Sequence, residues 1–93
     1  MEKNNITVLL DGTLMTDRAA VHAHLKEALA LPDYYGRNLD ALYDLLTEPC
    51  EPTVITLKNS ELMKAHLGSY ASPLLTTLLD AEKANPNITV III

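Results

Sequence analysis

Phe and Trp are absent from this chain, and cysteine occurs once, at Cys50. A single thiol excludes an internal disulfide framework and any four-cysteine metal site. Gly and Pro are scarce, three and five in 93 residues, too few for a linker or a low-complexity protein. No unbroken apolar run exceeds four residues, so no segment is long enough to span a bilayer. After Met-Glu-Lys-Asn-Asn only residues 6–10 follow as a nearly apolar stretch, too short for a signal-peptide core. A lone free thiol without an export signal makes the cytoplasm the expected location. Basic residues are outnumbered, seven Lys and Arg against twelve Asp and Glu, for a net charge of −5. Phosphate contacts need Lys and Arg, so nucleic acid is not expected as the direct ligand. What remains is 48% hydrophobic. Chains of about 55–65 residues already fold alone, so residues 1–93 are expected to form one domain with its own core.

The acidity is concentrated. Between residues 31 and 52 the acids are Asp33, Asp40, Asp44, Glu48 and Glu51, and Arg37 is the only base. That window carries −4 and the rest of the chain −1. A focused negative patch attracts a cationic partner and speeds its association. Three of the four tyrosines, Tyr34, Tyr35 and Tyr43, lie in the same window. Tyrosine offers apolar area with a polar tip, so a cluster of them beside acids reads as contact surface. The plainer reading is that the rings pack around a loop.

Three β-branched runs, residues 6–10 (ITVLL), 53–57 (TVITL) and 88–93 (ITVIII), read as fully buried strands. Helical patterns separate them. Thr16 is placed to cap a helix over residues 17–30, with Val21, Leu25, Ala28 and Leu29 on one face and Pro32 as its stop. Asn38 caps a second helix over residues 39–46, whose inner face is Leu39, Leu42 and Leu46. Asn59 or Ser60 starts a short helix ending at Gly68. Ser72-Pro73 starts a last one that runs to about Ala84 and buries Leu74, Leu75, Leu78 and Ala81. Strands separated by helices imply parallel pairing. The expected fold is therefore α/β: a single small domain with a three-stranded parallel sheet packed against helices. Asp11-Gly12 leaves a local hairpin as the rival reading of the first strand's end.

Asp40 and Asp44 are four apart in the second helix and share a face, with Tyr43 adjacent. Like charges at this spacing cost a few tenths of a kcal/mol, and Asp44 falls toward the helix end that disfavours negative charge. Stability alone would not choose Asp44, although a solvated face is the bland alternative. The pair could serve as acid and base of a hydrolase, could bind a divalent metal, or could form the acidic half of a protein interface. An enzyme needs a cleft, and a metal needs more oxygen ligands than DALYD supplies. An interface needs nothing further. No nucleophile set stands beside these: His22 and His24 do not face each other, His66 is alone, and Cys50 reads as an inert thiol. No glycine-rich phosphate loop is present.

The stretch from residue 29 to 47, LALPDYYGRNLDALYDLLT, resembles the barstar family, small cytoplasmic inhibitors of secreted microbial ribonucleases. The family run Leu-Pro-x-Tyr-Tyr-Gly-x-Asn-Leu-Asp-Ala-Leu-x-Asp-x-Leu is met at every fixed position from Leu31 to Leu46. The order of strands and helices agrees over the whole chain. The resemblance implies a non-enzymatic inhibitor, without cofactor or metal, that forms a 1:1 complex as a monomer with a basic extracellular-type ribonuclease and blocks its active site. It implies that Tyr34 and Asn38 contact the nuclease from the loop, with Tyr35 and Gly36 matching the motif there. Asp40, Tyr43 and Asp44 follow on the helix, Asp44 as the most deeply inserted carboxylate. Asp80 falls where the family has a contacting Glu. Tyr43, Leu45, Glu48 and Pro49 depart from the best-known member, so the rim of the interface differs. A protein-binding module of the same fold for another basic partner, and a carboxylate-pair enzyme, are the alternatives.

Overall fold

The computed structural model describes residues 6–48 and 51–93. Cys50 and Pro49, read above as an inert thiol and a rim residue, lie outside the described residues. The chain runs β1 (Ile6–Asp11), a 3-10 turn (Gly12–Leu14), α1 (Arg18–Ala28), α2 (Leu39–Leu46), β2 (Thr53–Lys58), α3 (Ser60–Leu67), a second 3-10 turn (Gly68–Tyr70), α4 (Ala71–Ala84) and β3 (Ile88–Ile92). The three strands form one parallel sheet in the order β1-β2-β3. Its register aligns Val8 with Ile55 and Val90, and Leu10 with Leu57 and Ile92. Val8, Leu10, Ile55, Leu57 and Ile88, with Val90 packed against them, line the covered face, in one core with Val21 and Leu25 of α1, Leu42 and Leu46 of α2, Met63 of α3, and Leu74, Leu78 and Ala81 of α4. The core is therefore mostly aliphatic, and Tyr35 is the aromatic ring buried in it.

The strands are not fully buried, and that expectation is corrected. Burial alternates along β2, and on β1 and β3 Leu9 and Ile91 are 53% and 43% exposed. Helices cover one face of the sheet only, so every second residue of these apolar runs looks outward. The hairpin alternative is also excluded, because Asp11-Gly12 opens a 3-10 turn instead of a return strand. Gly12 is required there by close approach: a Cβ at that position would stand 2.2 Å from the Asn59 carbonyl oxygen.

Helix boundaries follow local chemistry. Asp17, not Thr16, caps α1, its carboxylate accepting from the Ala20 N–H at 2.8 Å. The helix stops at Ala28, two residues short of the expected end. Ala30 turns into the left-handed region (φ 53°), and the Ala30 and Leu31 N–H groups bond back to the Glu27 and Lys26 carbonyls. That closing pattern normally takes Gly, so Ala30 conceals it in the sequence. α2 matches its expected bounds, with the Asn38 side chain accepting from the Ala41 N–H at 2.7 Å. α4 begins at Ala71, directly after the 3-10 turn, and Ser72-Pro73 sits inside its first turn. Beyond its end, buried Asn85 donates to the Leu46 and Glu48 carbonyls at 2.9 and 3.1 Å, tying α4 to the end of α2. Among the described residues no helix is long and apolar enough to cross a membrane.

Candidate functional site

Leu42 and Leu46 hold α2 against the core, and Asn38 fixes where the helix starts. The opposite face of α2 therefore has to project outward. Asp40 stands exposed in its first turn and Asp44 exposed one turn later. Among the described residues neither carboxylate takes part in a hydrogen bond or an ion pair, and α2 has no base in its last turn to balance Asp44. Like charges are thus left one turn apart with no cation from the described residues between them. Thr47 closes the helix, its hydroxyl donating to the Tyr43 and Asp44 carbonyls at 2.8 and 3.2 Å.

The loop ahead of α2 places the other expected residues. Tyr34 is 78% exposed, and Gly36 and Asn38 are exposed beside it. Tyr34, Gly36, Asp44, Leu45 and Glu48 meet around one shallow hollow, so the loop and the far end of α2 form a continuous surface. Asp40 lies outside that hollow, one turn earlier. Asp80 is exposed on α4, the helix that packs against α2. Tyr43 is half-buried and rests against the core instead of standing free.

Tyr35 departs from the expected surface set. It is 4% exposed, and its ring belongs to the core. Its hydroxyl bonds Nδ1 of His22, whose Nε2 bonds the hydroxyl of Tyr70 at 2.8 Å. The Arg18 guanidinium lies over the Tyr70 ring, 4.4 Å from its centroid. Burial chiefly, then the Arg18 and Arg37 charges, hold the His22 pKa below the ordinary histidine value. Burial pushes the Tyr35 phenol up to about 12. Both histidines of α1 bond other parts of the fold: His24 Nε2 accepts from the Asp11 N–H at 2.9 Å. The signal for His22 was present, since it shares the apolar spacing of Leu25 and Leu29. Nothing local in the sequence announces Tyr70.

Chemically, this surface offers two free carboxylates, an exposed phenol and apolar area, arranged to meet cations. Among the described residues no three His, Cys, Asp or Glu side chains come together to hold a metal ion. The model of the family described as Barstar (barnase inhibitor) matches residues 5–92. The chain belongs to the barstar family. It is also similar to a protein of Bacillus subtilis (strain 168) named "Putative ribonuclease inhibitor YrdF", 42% identical over 77 residues, which cover 82% of this chain and 85% of that protein. The small parallel α/β architecture agrees with a barstar fold. Membership supports a ribonuclease-inhibitor role and a ribonuclease as partner, and points to a protein that acts without catalysis.

Proposed function

We propose that this barstar-family chain is a cytoplasmic inhibitor of a basic, barnase-like ribonuclease of the secreted type. In this reading the outer face of α2 and the loop before it enter the nuclease active site, in a 1:1 complex, and stop substrate from binding. Asp40 and Asp44 take the places of substrate phosphates opposite the nuclease's cationic groups. Tyr34 and the half-buried Tyr43 supply apolar contact, Gly36 and Asn38 shape the approach, and Asp80 adds a charge at the edge. The observation that carries this reading is the pair of exposed, unpartnered carboxylates on α2, set in a stretch of charge −4. A fold that needed them for stability would have given them partners. Inhibition here is occupation of a site, so no acid–base step and no cofactor is required.

Titration of purified barnase with the chain tests this. Nuclease activity is expected to fall linearly and to reach zero at one equivalent. Stopped-flow association is expected to slow several-fold from low to high salt, because charges more than about 10 Å apart are screened at 0.1 M, while dissociation changes less. Full nuclease activity in the presence of excess chain would remove the barnase-like target. Salt-independent association would remove the steering role of the acidic face.

A further inference from the structure

The loop that carries Tyr34, Gly36 and Asn38 has no regular secondary structure, and its own backbone holds it lightly. The Leu31 N–H bonds the Lys26 carbonyl at 2.9 Å and the Tyr35 N–H bonds the Pro32 carbonyl at 3.0 Å. Between residues 31 and 38 one side chain is buried, that of Tyr35. Its hydroxyl ends on His22, itself 3% exposed, and the other ring nitrogen of His22 is taken by Tyr70. The three residues come from α1, the loop and the 3-10 turn before α4, and His22 and Tyr70 are 48 positions apart. Arg18 stacks on the outer side of Tyr70. Tyr34 and Tyr35 are neighbours with opposite exposures, so whatever holds Tyr35 also sets where Tyr34 is presented.

Resting on the inhibitor reading above, we propose that His22 and Tyr70 are positioning residues for inhibition: they clasp Tyr35 and so fix the contact loop in its binding shape. The clasp depends on a neutral ring. A neutral imidazole has one N–H and one lone pair, so one tyrosine hydroxyl accepts from it and the other donates to it. A protonated ring donates from both nitrogens, so both hydroxyls must then accept and turn their own protons elsewhere. It also places a positive charge on a ring that is 3% exposed. The charged groups facing the ring are Arg18 from α1 and Arg37 from the loop, both cationic. Asp17 and His66 line the neighbouring hollow beside Tyr70, and no carboxylate bonds the ring. Acid therefore loosens the clasp, and the loop with it.

Two variants test the proposal, Tyr70→Phe, which removes one hydroxyl, and His22→Gln, which keeps a donor and an acceptor but cannot gain a proton. Barnase is the binding probe, and every variant is compared with wild type at each pH so that the nuclease's own titration cancels. At pH 7.5 Tyr70→Phe is expected to dissociate about three- to tenfold faster than wild type, the effect of one lost hydrogen bond, with little change in association. Between pH 7.5 and 5.5 wild-type dissociation is expected to quicken more than that of His22→Gln, so that the ratio of the two rates rises. In the free proteins, hydrogen exchange at the Leu31 and Tyr35 amides is expected to speed up by a similar factor in Tyr70→Phe, with the Leu78 amide of α4 unchanged. A purely structural role would lower the melting temperature and leave the pH profile alone. Wild-type exchange at Leu31 and Tyr35 in Tyr70→Phe, or a His22→Gln pH profile that follows wild type, overturns the proposal. If wild type does not bind barnase, the inhibitor reading fails on that arm, and the exchange measurement still decides the clasp.

Discussion

Carboxylates at the end of β1 and on the outer face of α2 meet opposite treatment. Asp11 accepts from the Thr13 N–H and hydroxyl at 3.0 and 2.8 Å and from the Asn59 amide at 2.9 Å, with Lys58 at 3.9 Å. Those bonds, the one from Asn59 above all, lower its pKa to about 2. Asp17 caps α1, and Glu82 accepts from the Val90 N–H at 2.8 Å on the edge strand β3. Asp40 and Asp44 have nothing of this kind among the described residues. Acids that belong to the fold are surrounded by donors, whereas acids left bare on a helix, one of them at its wrong end, point to a partner outside the chain.

The sharpest break in that comparison runs between two adjacent tyrosines. Tyr35→Ala is expected to lose about 3–5 kcal/mol of folding stability in urea melts, as large aromatic truncations in cores do. Tyr34→Ala is expected to leave the urea midpoint unchanged and to weaken barnase binding by about 2 kcal/mol, as exposed aromatic anchors do. Equal stability losses in the two variants would erase the division between fold and contact surface. Next in size is Gly12→Ala. Its new Cβ would collide with the Asn59 backbone, so a stability loss of about 1–3 kcal/mol is expected, with inhibition by the folded fraction unchanged. The smaller effect is on acid stability. Asp11 is held below its unfolded value of 3.8, so its contribution is present above that value and disappears as pH falls toward 2. The advantage of wild type over Asp11→Asn in urea melts is expected to be full at pH 6 and to shrink steadily from about pH 4 down to pH 2. An advantage as large at pH 2 as at pH 6 would mean that the Asp11 charge is not what the cluster holds.

What the sequence made legible follows from how local each signal is. The start of α2 could be read because Asn38 and the Leu39, Leu42, Leu46 spacing lie within nine residues of one another. The parallel sheet could be read from three β-branched runs separated by helical patterns. Its open face could not, because Leu9 and Ile91 look outward while Thr53 is buried, so residue type along these runs does not mark which half faces solvent. The end of α1 was hidden by Ala30 standing where such turns favour glycine. Tyr34 and Tyr35 are identical in type and adjacent, and only the position of His22 in three dimensions separates them. Tyr70 joins that cluster across 48 residues, a distance that no motif spans.

The central claim is that the acidic face of α2 was shaped for a partner and not for the fold, and Asp44→Ala tests it most directly. Urea melts of the free variant are to be read beside its inhibition of barnase. Removing Asp44 relieves repulsion from Asp40, an unfavourable dipole position and a weak helix former. The free protein is therefore expected to gain about 0.5 kcal/mol. Binding is expected to lose about 2–5 kcal/mol, a range drawn in part from the barnase–barstar pair itself, because the nuclease's cations would be buried without their counter-charge. A variant that is less stable than wild type and inhibits as well would contradict the account, and would return Asp44 to the fold.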